Sequence, residues 1–438
     1  MRRDGYVWRE DSTRTIENCI PTTLAAKYCY RAAEASATNN MALAKLFEDR
    51  TKKLRDRQRI INVLKLAETQ IDFACTGNEF DQLSGCLPCL NGIYQFDDGT
   101  FREGQPKDYV RTFIPHNWTG IDTCAPLFIK FIEQVFPDVA LRDFVQRLFG
   151  YSILGTGAER ILPIFWGIGA NGKSTLIEII RYVLGDFAAT TPAETLLATQ
   201  SHSDGAPQPF LFRLRGKRFV ATSETEETRR LNASLVKSLT GMDTLCVRTL
   251  HGKPIEFTPR FLTLLSTNHR PRVNADDQAV WDRLLLVPFN ARFVDTPQGE
   301  NEHARIPNII EQFKAEASGI LSWLVKGAHI YKEDGLRAPE IVRMATSHRC
   351  ASDDTLQRFL DAFTTIGAST HKTRASDLYE AYKRWAEGNG YGVMSNRTFG
   401  ERLIQKHIRR VRDANGNYYT GLIVNSPVVT VAAADVEV

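Results

Sequence analysis

The stretch ILPIFWGIGANGKSTLIEIIRYVLG, Ile161–Gly185, decides the reading of this chain. Its opening apolar run, Ile161–Trp166, predicts a buried strand. Gly167–Ser174, GIGANGKS, matches G-x-x-x-x-G-K-[ST] at every fixed position. Leu176, Ile179, Ile180 and Val183 then recur at helical spacing, and Gly185 supplies a stop. Strand, glycine loop and helix start, in that order, are the context a phosphate-binding loop needs. Gly167, Gly169 and Gly172 let the backbone approach phosphate oxygens where a Cβ would obstruct it. Loop N–H groups from Gly167 through Ala170 and Asn171 to Thr175, with the positive helix end, favour an anion. Lys173 suits the β- and γ-phosphates, and the Ser174 hydroxyl suits Mg²⁺. A nucleotide site in an α/β fold is the first expectation.

Bulk properties bound the rest. A chain of 438 residues has room for about two to four domains. A net charge of +4 permits nucleic-acid binding without requiring it. The eight cysteines are scattered and form no disulfide framework. The one C-x-x-C, Cys86–Cys89, lacks a second pair at zinc spacing and reads as buried small residues. The N-terminus has no apolar signal core, and no apolar run nears about 18 residues. The expectation is a soluble protein of a bacterial host cytoplasm, with no membrane partner.

Residues 1–76 read as helical, with a basic cluster from Lys52 to Arg59 that suits either a solvated helix face or a DNA or subunit contact. Residues 81–115 change to short strands with turn signals at Asn91-Gly92 and Asp97–Thr100. Ala125–Gly150 is helical again. Past the glycine loop, Lys217–Glu224 predicts a strand ending in an acid, which suits Mg²⁺ and the attacking water. Glu224 is favoured for that work, with Ser223 or Glu226 assisting; Glu226 and Glu227 equally suit the opening of a helix. Leu245–Phe257 reads as a hairpin tipped by His251-Gly252-Lys253. A strand ending at Thr267-Asn268 offers an amide to orient water, and Arg283 opens an apolar strand. Near the C-terminus, Arg374–Trp385 predicts a helix capped by Ser376, and Ser395–His407 a second helix. Asn415-Gly416 then predicts a hairpin. Helix, helix, hairpin is a winged-helix pattern, with Arg397, Arg402, Lys406, Arg409, Arg410 and Arg412 on the second helix and the wing.

In order and spacing, GIGANGKST, RGKRFVATSETEE, LVKSLTGMDTLCVRTLHGKPIEFTP, LLSTNHRP and DQAVWDRLLLVPF resemble the superfamily three helicases. They are most similar to the helicase part of phage, plasmid and poxvirus primase-helicases. The resemblance implies an AAA+ P-loop ATPase core using ATP and Mg²⁺, with ATP held between subunits of a hexameric ring. It implies phosphate and metal work for Lys173 and Ser174, the acidic motif for Glu224, the sensor amide for Asn268 and a trans-acting arginine finger for Arg283. His251 and Lys253 fall at its DNA-tracking hairpin tip. The family often pairs acids at the second motif; here Ser223 precedes Glu224, so the second metal ligand stays open.

The fold expectation is an α/β AAA+ core with an N-terminal helical and β-hairpin domain and a C-terminal winged-helix domain. The expected units are residues 1–124 as a collar, 125–295 as the ATPase core, 296–350 as a helical extension, 351–425 as the winged helix and 426–438 as a flexible tail. The functional expectation is a DNA helicase that travels on single-stranded and forked DNA in replication of a phage, prophage or plasmid-like element. A separate primase or initiator would be its partner. The alternative is an origin-binding initiator whose ATP controls assembly. His251, Lys253, Arg397, Arg409 and Arg410 are the candidate DNA contacts.

Overall fold

A computed structural model describes residues 2–70, 77, 79–192, 195–197, 209–223, 231–248, 254–268, 273, 277–366, 371–389, 391–414 and 416–424. Near the N-terminus, α1 (Ala25–Ala37), α2 (Met41–Arg55) and α3 (Arg57–Ala67) follow one another. The basic cluster does not lie on one helix. Asp56 is extended, ends α2, and accepts a hydrogen bond from Arg59 N at 2.7 Å to cap α3.

The hairpin β1 (Cys86–Cys89) and β2 (Gly92–Gln95), with β3 (Phe101–Arg102), follows. Cys86 and Cys89 are both buried. Next come α4 (Pro126–Val135) and α5 (Val139–Leu154). The N-terminus of α4 is held by a distant carboxylate. Glu316 accepts from Leu127 N at 3.0 Å and Phe128 N at 2.9 Å.

The central unit begins with β4 (Leu162–Trp166) and α6 (Lys173–Leu184). Leu176, Ile179, Ile180 and Val183 are fully buried, as the spacing predicts. Then come β5 (Ala188–Pro192), β6 (Phe219–Ser223), α7 (Ala233–Thr240), the antiparallel pair β7 (Leu245–Val247) and β8 (Ile255–Phe257), β9 (Leu262–Thr267) and β10 (Leu284–Pro288). The five-stranded sheet runs β10-β4-β9-β6-β5, with every pairing parallel. Near-continuous burial along β4 and β9 is the pattern of a sheet covered on both faces. One face packs on α4, α5, α6 and α8 (Ala317–Asp334), together with Leu87, Tyr94 and Phe96 of the hairpin. The other face packs on α7 and Trp281. The helix α9 (Glu340–Asp353) guards the β10 edge, where Leu286 N donates to Thr346 Oγ1 at 3.0 Å.

The C-terminal part has its own core of Leu356, Phe359, Tyr382, Phe399 and Leu403. Its elements are α10 (Thr355–Phe363), β11 (Lys372–Arg374), α11 (Ala375–Gly388), α12 (Asn396–Gln405), β12 (Arg410–Asp413) and β13 (Gly416–Thr420), with sheet order β11-β13-β12. The cap of α11 differs from expectation. Arg374, not Ser376, is the N-cap, because its pairing with Tyr418 holds it extended up to the first helical residue. Among the described residues no helix is long and apolar enough to cross a membrane.

Candidate nucleotide site and nucleic-acid faces

The glycine loop joins the carboxyl end of β4 to the amino end of α6. Two residues turn it. Ala170 has φ +61° and Gly172 has φ +86°, the left-handed conformations that let successive N–H groups face one concavity. A Cβ on Gly172 would also be tight, 3.0 Å from Val135 Cγ2. Gly169 has open space where its Cβ would be. Asn171 is buried and donates to Phe289 O at 3.3 Å, which ties the loop to the end of β10. Ser174 is exposed on the first turn of α6, with Thr175 half-buried beside it.

Lys173 is 4% exposed. Its Nζ donates to Gly167 O at 2.6 Å, to Asn171 Oδ1 at 3.0 Å and to Asn268 Oδ1 at 3.0 Å. None of these oxygens is charged, so burial pushes its pKa down to about 8. Asn268 follows directly on β9, the strand between β4 and β6. The structure therefore brings Lys173 and Asn268 together across 95 positions of sequence. The bracketing of Lys173 by Asn171 is a contact that sequence reasoning missed; a motif position marked x carries no signal for it.

Arg283 lies elsewhere. Leu284 pairs with Leu162, so Arg283 stands at the amino end of the sheet while the loop is at the carboxyl end. Its Nη1 donates to Ala279 O. Nearby acids are engaged by others: Asp277 pairs with Lys237 at 2.8 Å, and Asp282 accepts from Gln278 at 2.6 Å. Glu224, His251 and Lys253 lie outside the described residues, as do Glu226, Glu227, Asp276 and the 426–438 tail. The strand ending at Ser223 and the stem that leads to His251 are both present.

The C-terminal arginines divide by helix face. Arg397, Arg409 and Arg410 are exposed, with Arg397 paired to Glu401 at 2.9 Å. Arg402 and Lys406 leave the expected basic face. Arg402 is buried beside Phe399 and Leu403, and burial holds its pKa down to about 10. Lys406 bonds Asp354 at 2.6 Å and Gln357 at 2.8 Å, tying α12 to α10. Arg374, Arg397 and Arg410 line one cleft of about 640 Å³ with Asn396, Asn417 and Tyr419.

Three family profiles match the chain. "D5 N terminal like" covers residues 1–137, "Family of unknown function (DUF5906)" covers 165–283, and "Poxvirus D5 protein-like" covers 352–419. "Putative helicase L207/L206" of Acanthamoeba polyphaga mimivirus is 27% identical over 422 residues, 90% of this chain and 43% of that protein. "Putative primase C962R" of African swine fever virus (isolate Pig/Kenya/KEN-50/1950) is 22% identical over 289 residues, 63% of this chain and 29% of that protein. The chain thus spans less than half the length of the curated relatives it matches. These relatives belong to viruses named for an amoeba and for swine fever, not to the phages or plasmids of the first expectation. Among solved structures, the apo NrS-1 C-terminal region aligns with a TM-score of 0.41 at 13% identity, over 73% of this chain and 80% of that one. The chain is thus similar to D5-type profiles at both ends, and along most of its length to proteins named as putative helicases and primases of large DNA viruses.

Proposed function

We propose that the chain is an ATP-driven DNA helicase motor acting in viral DNA replication. The observation that carries this reading is the convergence of Lys173 and Asn268 at the carboxyl ends of adjacent strands, while Arg283 stands at the opposite end of the sheet. The left-handed turns at Ala170 and Gly172 and the buried ammonium of Lys173 suit a triphosphate. In this reading Gly167, Gly169, Ala170, Asn171, Gly172 and Thr175 shape the loop, Lys173 holds the β- and γ-oxygens, and Ser174 holds Mg²⁺ with Glu224. Bound Mg²⁺ supplies charge neutralisation on the phosphates. Asn268 turns its amide from Lys173 to the γ-phosphate or the attacking water. Arg283 serves a neighbouring subunit's nucleotide in a hexameric ring.

The sheet order, with β9 between the loop strand and the acid-bearing strand, supports the AAA+ assignment. The order β11-β13-β12, with α11 and α12 between β11 and β12 in the chain, supports the winged helix, which presents Arg397, Arg409 and Arg410 to DNA. Travel on single or forked strands falls to the hairpin carrying His251 and Lys253, and a separate primase or initiator completes the replication machinery. The test is ATPase activity with and without single-stranded DNA, run beside a sizing measurement. Wild type should be stimulated several-fold and run as a ring, and Lys173→Ala should fall to background. ATP turnover that ignores DNA would sink the reading.

A further inference from the structure

We propose that the groove between the N-terminal hairpin region and the amino end of the central sheet is a track for the phosphate backbone of single-stranded DNA. The proposal rests on the motor reading above and adds to it a contact whose lining residues differ from those of the C-terminal cleft. The groove encloses about 930 Å³. Two smaller cavities of about 470 and 380 Å³ lie beside it and share Thr112 and Lys217 with it; the first adds Arg9 against Glu10 and Asp186. Its walls carry six cations, Arg111, Arg181, Arg213, Arg215, Lys217 and Arg260, against the two acids Asp81 and Glu256.

Asp81 is already engaged, accepting from Arg111 N at 2.7 Å, Thr112 N at 2.9 Å and the Thr112 hydroxyl at 3.0 Å. None of the five arginines forms an ion pair with a described carboxylate. Arg181 Nε is buried without a hydrogen-bond partner. Uncompensated cations gathered along one trough, in a chain of net charge only +4, are the footprint of a polyanion.

Position and lining narrow the ligand. Lys217 precedes β6, and Ala188 opens β5, so the groove lies at the amino end of the sheet. The nucleotide loop is at the carboxyl end, so the groove's anion is not that nucleotide. Half-buried Phe212 and Phe257 share the wall with the arginines. Base faces are free to stack on such rings only when the strand is single. Glu256 and Phe257 also belong to β8, the second strand of the hairpin whose tip is a candidate DNA contact. A strand in the groove would therefore continue toward that hairpin.

The test uses the full chain and a fluorescein-labelled oligothymidylate, with anisotropy read across a salt series. The triple variant Arg213→Ala/Arg215→Ala/Arg260→Ala should bind about tenfold or more weakly. Its plot of log affinity against log salt should be shallower by about 2, at about 0.7 per lost single-strand phosphate contact. The matching Arg→Lys triple variant should keep most of the wild-type slope. Wild-type affinity and slope in the alanine variant would overturn the track while leaving the motor reading intact. So would a lysine variant as weak as the alanine one, since charge would then not be the cause. So would a duplex of equal length that loses as much affinity as the single strand. A wild-type chain that binds no oligothymidylate at all would remove the DNA reading itself and the track with it.

Discussion

The burial of Lys173 among uncharged oxygens has a measurable consequence. Three neutral oxygens replace water around its Nζ, which is less than the ammonium loses on burial. The folded-state pKa therefore falls from 10.5 to about 8. Between those values the unfolded chain binds more protons than the folded one, so this group's contribution to stability improves as pH rises through that window. On the proposed reading, an arriving triphosphate would reverse the shift by supplying the missing countercharge. Nucleotide affinity should accordingly be flat below pH 8 and fall by up to about tenfold per pH unit above it. Titration with a fluorescent ATP analogue checks this, and Lys173→Arg, which stays charged, should lack the decline. A wild-type profile that stays flat to about pH 9.5 would refute the buried-ammonium account.

At the scale of elements, the close crossing of α5 and α8 fixes the helical layer under the sheet. Gly150 and Gly327 make it possible. A Cβ on Gly150 would lie 2.1 Å from Gly327 C and 2.2 Å from Ala328 N, both backbone atoms that cannot swing aside. Replacing glycine by alanine inside an exposed helix gains about 0.5–1 kcal/mol. Here the sign should invert, with Gly150→Ala losing about 2 kcal/mol or more through overpacking. The denaturation midpoint decides between the two signs. The C-terminal helix α12 teaches a related lesson. The basic run Arg397, Arg402, Lys406 was legible, but its division was not: Arg402 packs inward and Lys406 ties α12 to Asp354 of α10, leaving Arg397 outward. Helical phase alone does not say how far the apolar stripe of α12 extends; the packing of α10 and α11 decides it.

For the whole molecule, the sheet sets Arg283 apart from the glycine loop. Arg283 and the glycine loop sit at opposite ends of paired five-residue strands. At about 3.3 Å per residue that is on the order of 16 Å, beyond reach of an arginine of the same chain. If the halves meet across a subunit boundary, Lys173→Ala and Arg283→Ala should each be inactive alone. An equal mixture should recover up to about a quarter of wild-type ATPase activity, the share of interfaces that combine an intact lysine with an intact arginine. A mixture as dead as its components would argue against a shared site.

Much of the site was readable because its parts are contiguous in the chain. Gly167 to Ser174 carries its own spacing, and the strand before it and the helix after it are set by local apolar periodicity. The strands ending in Ser223, Thr267 and Pro288 could likewise be read along the sequence. Meetings between distant segments could not. The sequence determined a glycine loop between strand and helix, hairpin-bearing ends and two basic regions. Only the tertiary structure brought Asn268 onto Lys173, set Gly150 against Gly327, turned Arg402 inward and gathered Arg111, Arg181, Arg213 and Arg260 around one groove. The physical reason is range. Propensity and periodicity act within a few turns of chain, whereas burial and charge compensation are settled by whichever segments the sheet order makes neighbours.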